Sequence, residues 1–181
     1  MGCGKSSVGK ILATLLPECR LIDLDTYIEE KQGKNIPEIF NEYGEAAFRR
    51  MEREALEEIF SDKSRPRAIL SLGGGTVTSE QCRQLIRQHT DCFYLRATTD
   101  TLLDNLEGHS DGRPMLNPTQ PVEAQSTETS SEREALRRRI ESLMQTRSPQ
   151  YLATANHIID IDGLSFAQIA EAVEDNILNI K

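Results

Sequence analysis

The chain has 181 residues, is 38% hydrophobic, and carries 21 Lys and Arg against 29 Asp and Glu, for a formal net charge of −8. That length fits one domain with a core between sheet and helices, and the acidic balance argues against nonspecific nucleic-acid binding, which needs Lys and Arg to neutralise phosphates. No run approaches the roughly 18 apolar residues of a membrane span, and the first residues lack a signal-peptide pattern, so a cytoplasmic protein with no membrane partner is expected.

The chain opens on Met1-Gly2-Cys3-Gly4-Lys5-Ser6-Ser7, the back half of G-x-x-x-x-G-K-[ST], and runs into an amphipathic helical stretch over 8–16. The backbone N–H groups of such a loop, at the positive end of a helix dipole, cradle nucleotide phosphates. Gly2, Cys3, Gly4 and Ser7 build that cradle, Lys5 reaches the outer phosphates, and Ser6 is a magnesium ligand. The first glycine of the pattern falls two positions before Met1, and the apolar strand that normally feeds the loop is not in the sequence. Either an upstream start or an altered fold is therefore expected. Of Cys3, Cys19, Cys82 and Cys92, which match no zinc spacing or disulfide framework, Cys3 beside a helix amino end is the candidate for a lowered pKa. The alternative is a small loop residue with no special role.

Further along, 20–23 is a short strand, and 26–31 and 36–43 are short helices, the second with Pro37 in its first turn. Phe48, Met51, Ala55, Leu56 and Ile59 recur at helical spacing, predicting a helix over 45–60. A buried strand over 68–72 is broken by Gly73-Gly74-Gly75, and a helix over 79–89, a strand over 92–95 and a helix over 99–107 follow. From 108 to 131 the composition turns to Gly, Pro, Ser, Thr, Gln and charge, too polar to order itself alone. An arginine-rich helix over 132–144, a strand over 157–161 and an amphipathic helix over 165–180 close the chain. Such alternation predicts a parallel sheet covered by helices.

Asp23 and Asp25 lie at the carboxyl end of a strand, where open parallel sheets place ligands. Residues two apart in a strand point the same way, so one carboxylate can hold magnesium through water while the other orients or deprotonates an attacking hydroxyl. The bland alternative is a helix cap. The three glycines let backbone approach a ligand closely. Arg49 has the planar fork that grips a carboxylate in two parallel hydrogen bonds, against the alternative of a solvated pair with Glu52. His89, His109 and His157 show no ligand spacing and no paired carboxylate, and Arg137-Arg138-Arg139 is a helix face.

Six strings occur in one order: the phosphate loop, Ile22-Asp23-Leu24-Asp25 before Tyr27-Ile28, Gly44-Glu45-x-x-Phe48-Arg49-x-x-Glu52, Leu72-Gly73-Gly74-Gly75, Gly112-Arg113-Pro114-Met115-Leu116, and Arg147-Ser148-Pro149-x-Tyr151. Together they resemble shikimate kinase from Met1 to about Tyr151. The resemblance implies a P-loop three-layer α/β/α fold like the nucleoside-monophosphate kinases, with a five-stranded parallel sheet whose first strand is missing here. It implies one kinase domain over 1–181, with a substrate-binding region at about 24–52 and a mobile lid at about 106–131.

The implied activity is ATP-dependent phosphorylation of the shikimate 3-hydroxyl in aromatic amino-acid biosynthesis, by a monomer using ATP and Mg2+. Lys5 and Ser6 would serve ATP and magnesium, with Asp23 near the metal. Asp25 would contact the shikimate hydroxyls as the base. Arg49 and Arg147 would grip the shikimate carboxylate, with the backbone of Gly73, Gly74 and Gly75 beside the ring. Arg113 would swing from the lid over the nucleotide and the transferring phosphoryl group.

Three departures stand out. The missing strand leaves its neighbours without ladder partners, at a cost on the order of 1–3 kcal/mol for each unpaired buried group. Leu106 occupies the place of a lid arginine that serves adenine, and the polar link over 118–131 is longer than usual for the family. The alternatives are a catalytically silent shikimate-binding module and a related small-metabolite kinase, such as one for gluconate.

Overall fold

A computed structural model describes residues 2–62, 67–106 and 128–179. Along them run helix α1 (Lys5–Leu15), strand β1 (Arg20–Asp23), α2 (Leu24–Gln32), α3 (Ile36–Ser61), β2 (Ala68–Ser71), a 3-10 turn (Thr76–Thr78), α4 (Glu80–His89), β3 (Phe93–Arg96), α5 (Thr99–Leu106), α6 (Glu128–Thr154), β4 (His157–Asp160) and α7 (Phe166–Asn179). The expected link over 118–131 falls mostly outside the described residues.

Local chemistry accounts for most of these boundaries. Asn35 and Glu38 form a reciprocal capping box at the start of α3, Asn35 Oδ1 accepting from Glu38 N at 2.9 Å and Glu38 Oε2 from Asn35 N at 2.8 Å. Within α3, Gly44 sits at φ 78°, ψ 169°, which breaks the helix into the two segments expected from the sequence. Helix α2 ends on Gly33 at φ 64°, a left-handed C-cap.

Helix α6 departs from expectation. It runs ten residues past 144, through Ser148-Pro149, to Thr154. Ile140, Arg147 and Thr154, seven residues apart, are all buried, so one face of the helix stays packed from Ile140 to its end. Two of those three side chains are polar, which hid the period from a hydrophobicity pattern.

The strands form two separate parallel pairs. β1 pairs with β2, from Arg20 opposite Ala68 to Asp23 opposite Ser71, and β3 with β4, from Phe93 opposite His157 to Arg96 opposite Asp160. Among the described residues each strand is paired on one side only. An apolar cavity of about 80 Å3 lies between the pairs, lined by Cys3, Leu72, Tyr94, Leu95, Leu102 and Tyr151 among others.

Each pair has its own apolar cluster. Ile22, Leu24, Ile28, Ile39, Phe48, Leu56 and Ile86 surround β1 and β2, and Val8, Leu12, Leu95, Leu103, Leu106, Ile140 and Ile169 surround β3 and β4. The arginine run lies on the outer face of α6, where Arg137 pairs with Asp100 of α5 at 2.5 Å and Arg138 with Glu134 at 3.4 Å. Among the described residues no helix is long and apolar enough to cross a membrane.

His157 corrects the sequence reading. Its Nε2 lies 3.0 Å from Asp91 Oδ1 and its ring stacks on Phe93, because the β3–β4 register sets His157 opposite Phe93, two residues past Asp91. His89 stacks on Phe60, and His109 lies outside the described residues.

Leu56 is fully buried in the β1–β2 cluster. Leu56→Ala is expected to lower the unfolding free energy by about 2–5 kcal/mol, read by urea denaturation. A loss below about 1 kcal/mol would contradict the packing described.

Candidate active site

The phosphate loop meets α1 in a strained turn. Gly2 and Gly4 lie at φ 69° and 76°, a left-handed conformation that costs a side chain but not glycine. Gly4 also admits the Phe166 ring of α7, whose Cδ1 would lie 2.9 Å from a Cβ placed there. No side chain caps α1 and no acidic residue occupies its first turn. Its amino end is thus left for an anion, as phosphate binding requires.

Lys5 Nζ lies 3.9 Å from the Sγ of Cys3, which is buried. Burial pushes the Cys3 thiol up, but the Lys5 ammonium and neighbouring backbone N–H groups outweigh it and hold the thiol below its usual value. Ser6 donates its hydroxyl to Asp23 Oδ2 at 2.8 Å. The two oxygens, one hydroxyl and one carboxylate, form the kind of sparse hard-donor pair that Mg2+ takes alongside phosphate oxygens and water. Among the described residues no cluster of three or more His, Cys, Asp or Glu makes a self-sufficient metal cage.

Asp23 and Asp25 do not share a strand face. Asp23 ends β1, whereas Asp25 lies in the first turn of α2, so the two-residue alternation does not apply. Asp23 is also a helix cap, its Oδ1 accepting from Asp25 N at 3.2 Å and Thr26 N at 3.4 Å. The cap uses one oxygen and leaves the other to Ser6. Burial, then the charges of Asp23 and Glu52, push the Asp25 carboxyl up to about 6, with Lys5 pulling the other way.

The triple-glycine turn after β2 gathers the rest. A Cβ on Gly73 would meet Asp25 Oδ1 at 2.9 Å, Glu52 Oε1 at 3.2 Å and Thr76 Oγ1 at 3.2 Å, and one on Gly75 would meet Arg49 Cζ at 2.7 Å. The glycines thus make room first for the protein's own side chains, which the sequence reading did not foresee.

The Arg49–Glu52 pair is buried rather than solvated. Glu52 has no exposed surface, and Arg49 Nη1 donates to its Oε2 at 2.6 Å, while Nη2 donates to the exposed Glu45 Oε1 at 3.0 Å. Arg49 Nε is buried and makes no hydrogen bond among the described residues. From α6, the buried Arg147 donates through Nη1 to Gly74 O at 3.3 Å, and Tyr151 donates its hydroxyl to the same oxygen at 2.5 Å.

Lys5, Ser6, Asp23, Asp25, Arg49, Gly73, Gly74, Gly75 and Arg147 therefore converge from five elements and the turn after β2. Arg113 lies outside the described residues. Leu106 is fully buried and would touch a Cβ on Gly2 at 2.9 Å, so its side chain is core. Sequence reasoning assigned no role to Thr76 or Tyr151, and gave Glu52 only as a solvated partner of Arg49. Glu52 and Tyr151 stood within quoted motifs, but nothing in the sequence marked Thr76.

A family model described as "Shikimate kinase" matches residues 1–177. The chain is 37% identical over 180 residues to a shikimate kinase of Chlorobaculum tepidum, covering 97% of this chain and 87% of that protein. It is 33% identical to one from Thermus thermophilus, covering 98% and 85%. The structure of shikimate kinase from Acinetobacter baumannii in complex with shikimate superposes with a TM-score of 0.83 at 30% identity, covering 100% of this chain and 90% of that one. One from Bacteroides thetaiotaomicron gives 0.81 at 27%.

The folded chain holds the Asp25 proton up to about pH 6, whereas an unfolded aspartate releases it near 3.8. Asp25 therefore supports the fold best when protonated, and its contribution falls as pH rises from about 4 to about 6. Asp25→Asn, which cannot ionise, should gain stability relative to wild type across that window by up to about 3 kcal/mol. Urea unfolding at pH 4.5 and pH 7 measures the difference, and an equal offset at both would refute the shift.

Proposed function

The chain belongs to the shikimate kinase family, and from that premise we propose that the residues gathered at the triple-glycine turn carry its phosphoryl transfer. It is an ATP-dependent kinase that phosphorylates shikimate, on the route to aromatic amino acids. The carrying observation is the convergence of the Asp25 carboxylate and the Arg49 and Arg147 guanidinium groups on one backbone turn, whose Gly73 and Gly74 line the same cavity as Lys5 at the uncapped end of α1.

In this reading Gly2, Cys3, Gly4, Ser6 and Ser7 cradle the ATP phosphates, and Lys5 reaches the outer ones. Ser6 and Asp23 would hold Mg2+, which would supply neutralisation of the phosphate charge. Arg49 and Arg147 take the shikimate carboxylate, against the backbone of Gly73, Gly74 and Gly75, which turns the 3-hydroxyl toward Asp25. With its carboxyl titrating at about 6, Asp25 is mostly ionised at neutral pH and close to the operating range that suits a general base. The hydroxyl oxygen forms a bond to the terminal phosphorus as its proton passes to Asp25, the bond to the bridging oxygen breaks, and ADP leaves. Arg113, which lies outside the described residues, would offset charge on the transferring group. The substrate-binding region spans about 24–52 of a single domain over 1–181, which acts as a cytoplasmic monomer.

ADP release coupled to a reporter, with shikimate and MgATP and with gluconate as the control acceptor, tests this reading. Shikimate should turn over and gluconate should not. Asp25→Asn should lower kcat by about 10²–10⁴, and wild-type kcat/KM for shikimate should fall below about pH 6 as Asp25 takes up its proton. Full turnover by Asp25→Asn would remove Asp25 from the base role. Binding of shikimate without turnover by the wild type would favour a silent module.

A further inference from the structure

Arg49 presents two different sides. Its Nη1 faces inward to a carboxylate with no exposed surface, Glu52, whereas its Nη2 faces outward to the half-exposed Glu45. The outward partner already shows that this edge of the guanidinium accepts a carboxylate, and an exposed pair of that kind is worth little and is readily displaced. The inward partner is what sets where the fork points.

Glu52 is itself held from its far side. Thr76, fully buried in the 3-10 turn after the glycines, donates its hydroxyl to Glu52 Oε1 at 2.5 Å, leaving Oε2 to Arg49 at 2.6 Å. Two donors from two elements thus divide the two oxygens of one buried carboxylate and fix its plane. Remove the hydroxyl and Oε1 has no donor, while Asp25 Oδ1 approaches the same point beside Gly73. A buried oxygen left in that state carries its full desolvation cost and turns toward a new partner.

We propose that Thr76 is a positioning residue for shikimate: its hydroxyl locks Glu52, and Glu52 aims Arg49 at the carboxylate of the acceptor. The proposal rests on the assignment of Arg49 to that carboxylate. Thr76 touches neither substrate nor nucleotide in this scheme, and its action is confined to the acceptor side of the cleft. Nucleotide binding runs through α1 and its loop, to which Thr76 makes no hydrogen bond among the described residues.

The test compares KM for shikimate and KM for ATP in wild type, Thr76→Val, Thr76→Ala, Thr76→Ser and Arg49→Ala, with thermal unfolding of each. Val keeps the volume and Ala avoids an extra buried methyl, so a folding defect in one leaves the other to report. Both are expected to raise KM for shikimate about tenfold with KM for ATP within about twofold of wild type, and Thr76→Ser, which keeps the hydroxyl, to stay within about threefold on both. A folded Thr76→Val or Thr76→Ala with wild-type KM for shikimate overturns the proposal, as does a parallel rise in both KM values or a failure of Ser to restore binding. If Arg49→Ala also leaves KM for shikimate unchanged, the Arg49 assignment falls and takes the proposal with it. If Arg49→Ala raises it and Thr76→Val and Thr76→Ala do not, only the role of Thr76 is lost.

Discussion

Glu52 is a carboxylate shut away from solvent in the middle of α3, and a charge so placed is tolerated only where several partners meet it. Arg49 comes from one helical turn earlier and Thr76 from beyond β2, while the charge of Arg147 acts from α6. Satisfying that one group therefore brings three stretches of chain to a single place. It also dictates the glycines, since a Cβ on Gly73 would collide with the oxygens of Asp25, Glu52 and Thr76, and one on Gly75 with the Arg49 fork. In the proposed reading, the acceptor side of the cleft is the outer surface of this buried network.

The same crowding of carboxyl groups shapes the chemistry. Asp25 is partly buried between Asp23 and Glu52, so ionising it is disfavoured and its carboxyl titrates at about 6 rather than near 3.8. Lys5 moderates the effect from the phosphate loop. Asp23 avoids competition by spending one oxygen on the α2 backbone and the other on Ser6, which ties the strand end to the start of α1. Asp25, Ser6 and the amino end of α1 are thus adjacent because one aspartate joins two helix starts.

The scaffold has a seam. β1–β2 and β3–β4 are two parallel pairs with separate apolar clusters, and contacts across the middle come from α1 on β1 and β2 and from α6 on the 3-10 turn and α4. Tyr151 and Arg147, both reaching Gly74 O from α6, make part of that bridge. The site straddles the seam, with the phosphate loop and Arg147 on one side and Asp25, Arg49 and Glu52 on the other.

Element identity was written locally. The capping box at Asn35, the break at Gly44, the periodic apolar face of α3 and the alternation of strand and helix are decided by residues within a turn or two of each other, where propensity and period act. The six ordered strings likewise carried the family, because each is a short stretch whose residue types are fixed by phosphate, carboxylate or tight-turn geometry. What only the tertiary structure decided are contacts between residues far apart in sequence: Thr76 to Glu52 across 24 positions, Arg147 to Gly74 across 73, His157 to Asp91 across 66. The continuation of α6 past Pro149 belongs with them, since its buried face includes Arg147 and Thr154, polar side chains that read as surface until their partners are in place. The burial of a polar or charged side chain depends on what packs against it, and no local pattern records that.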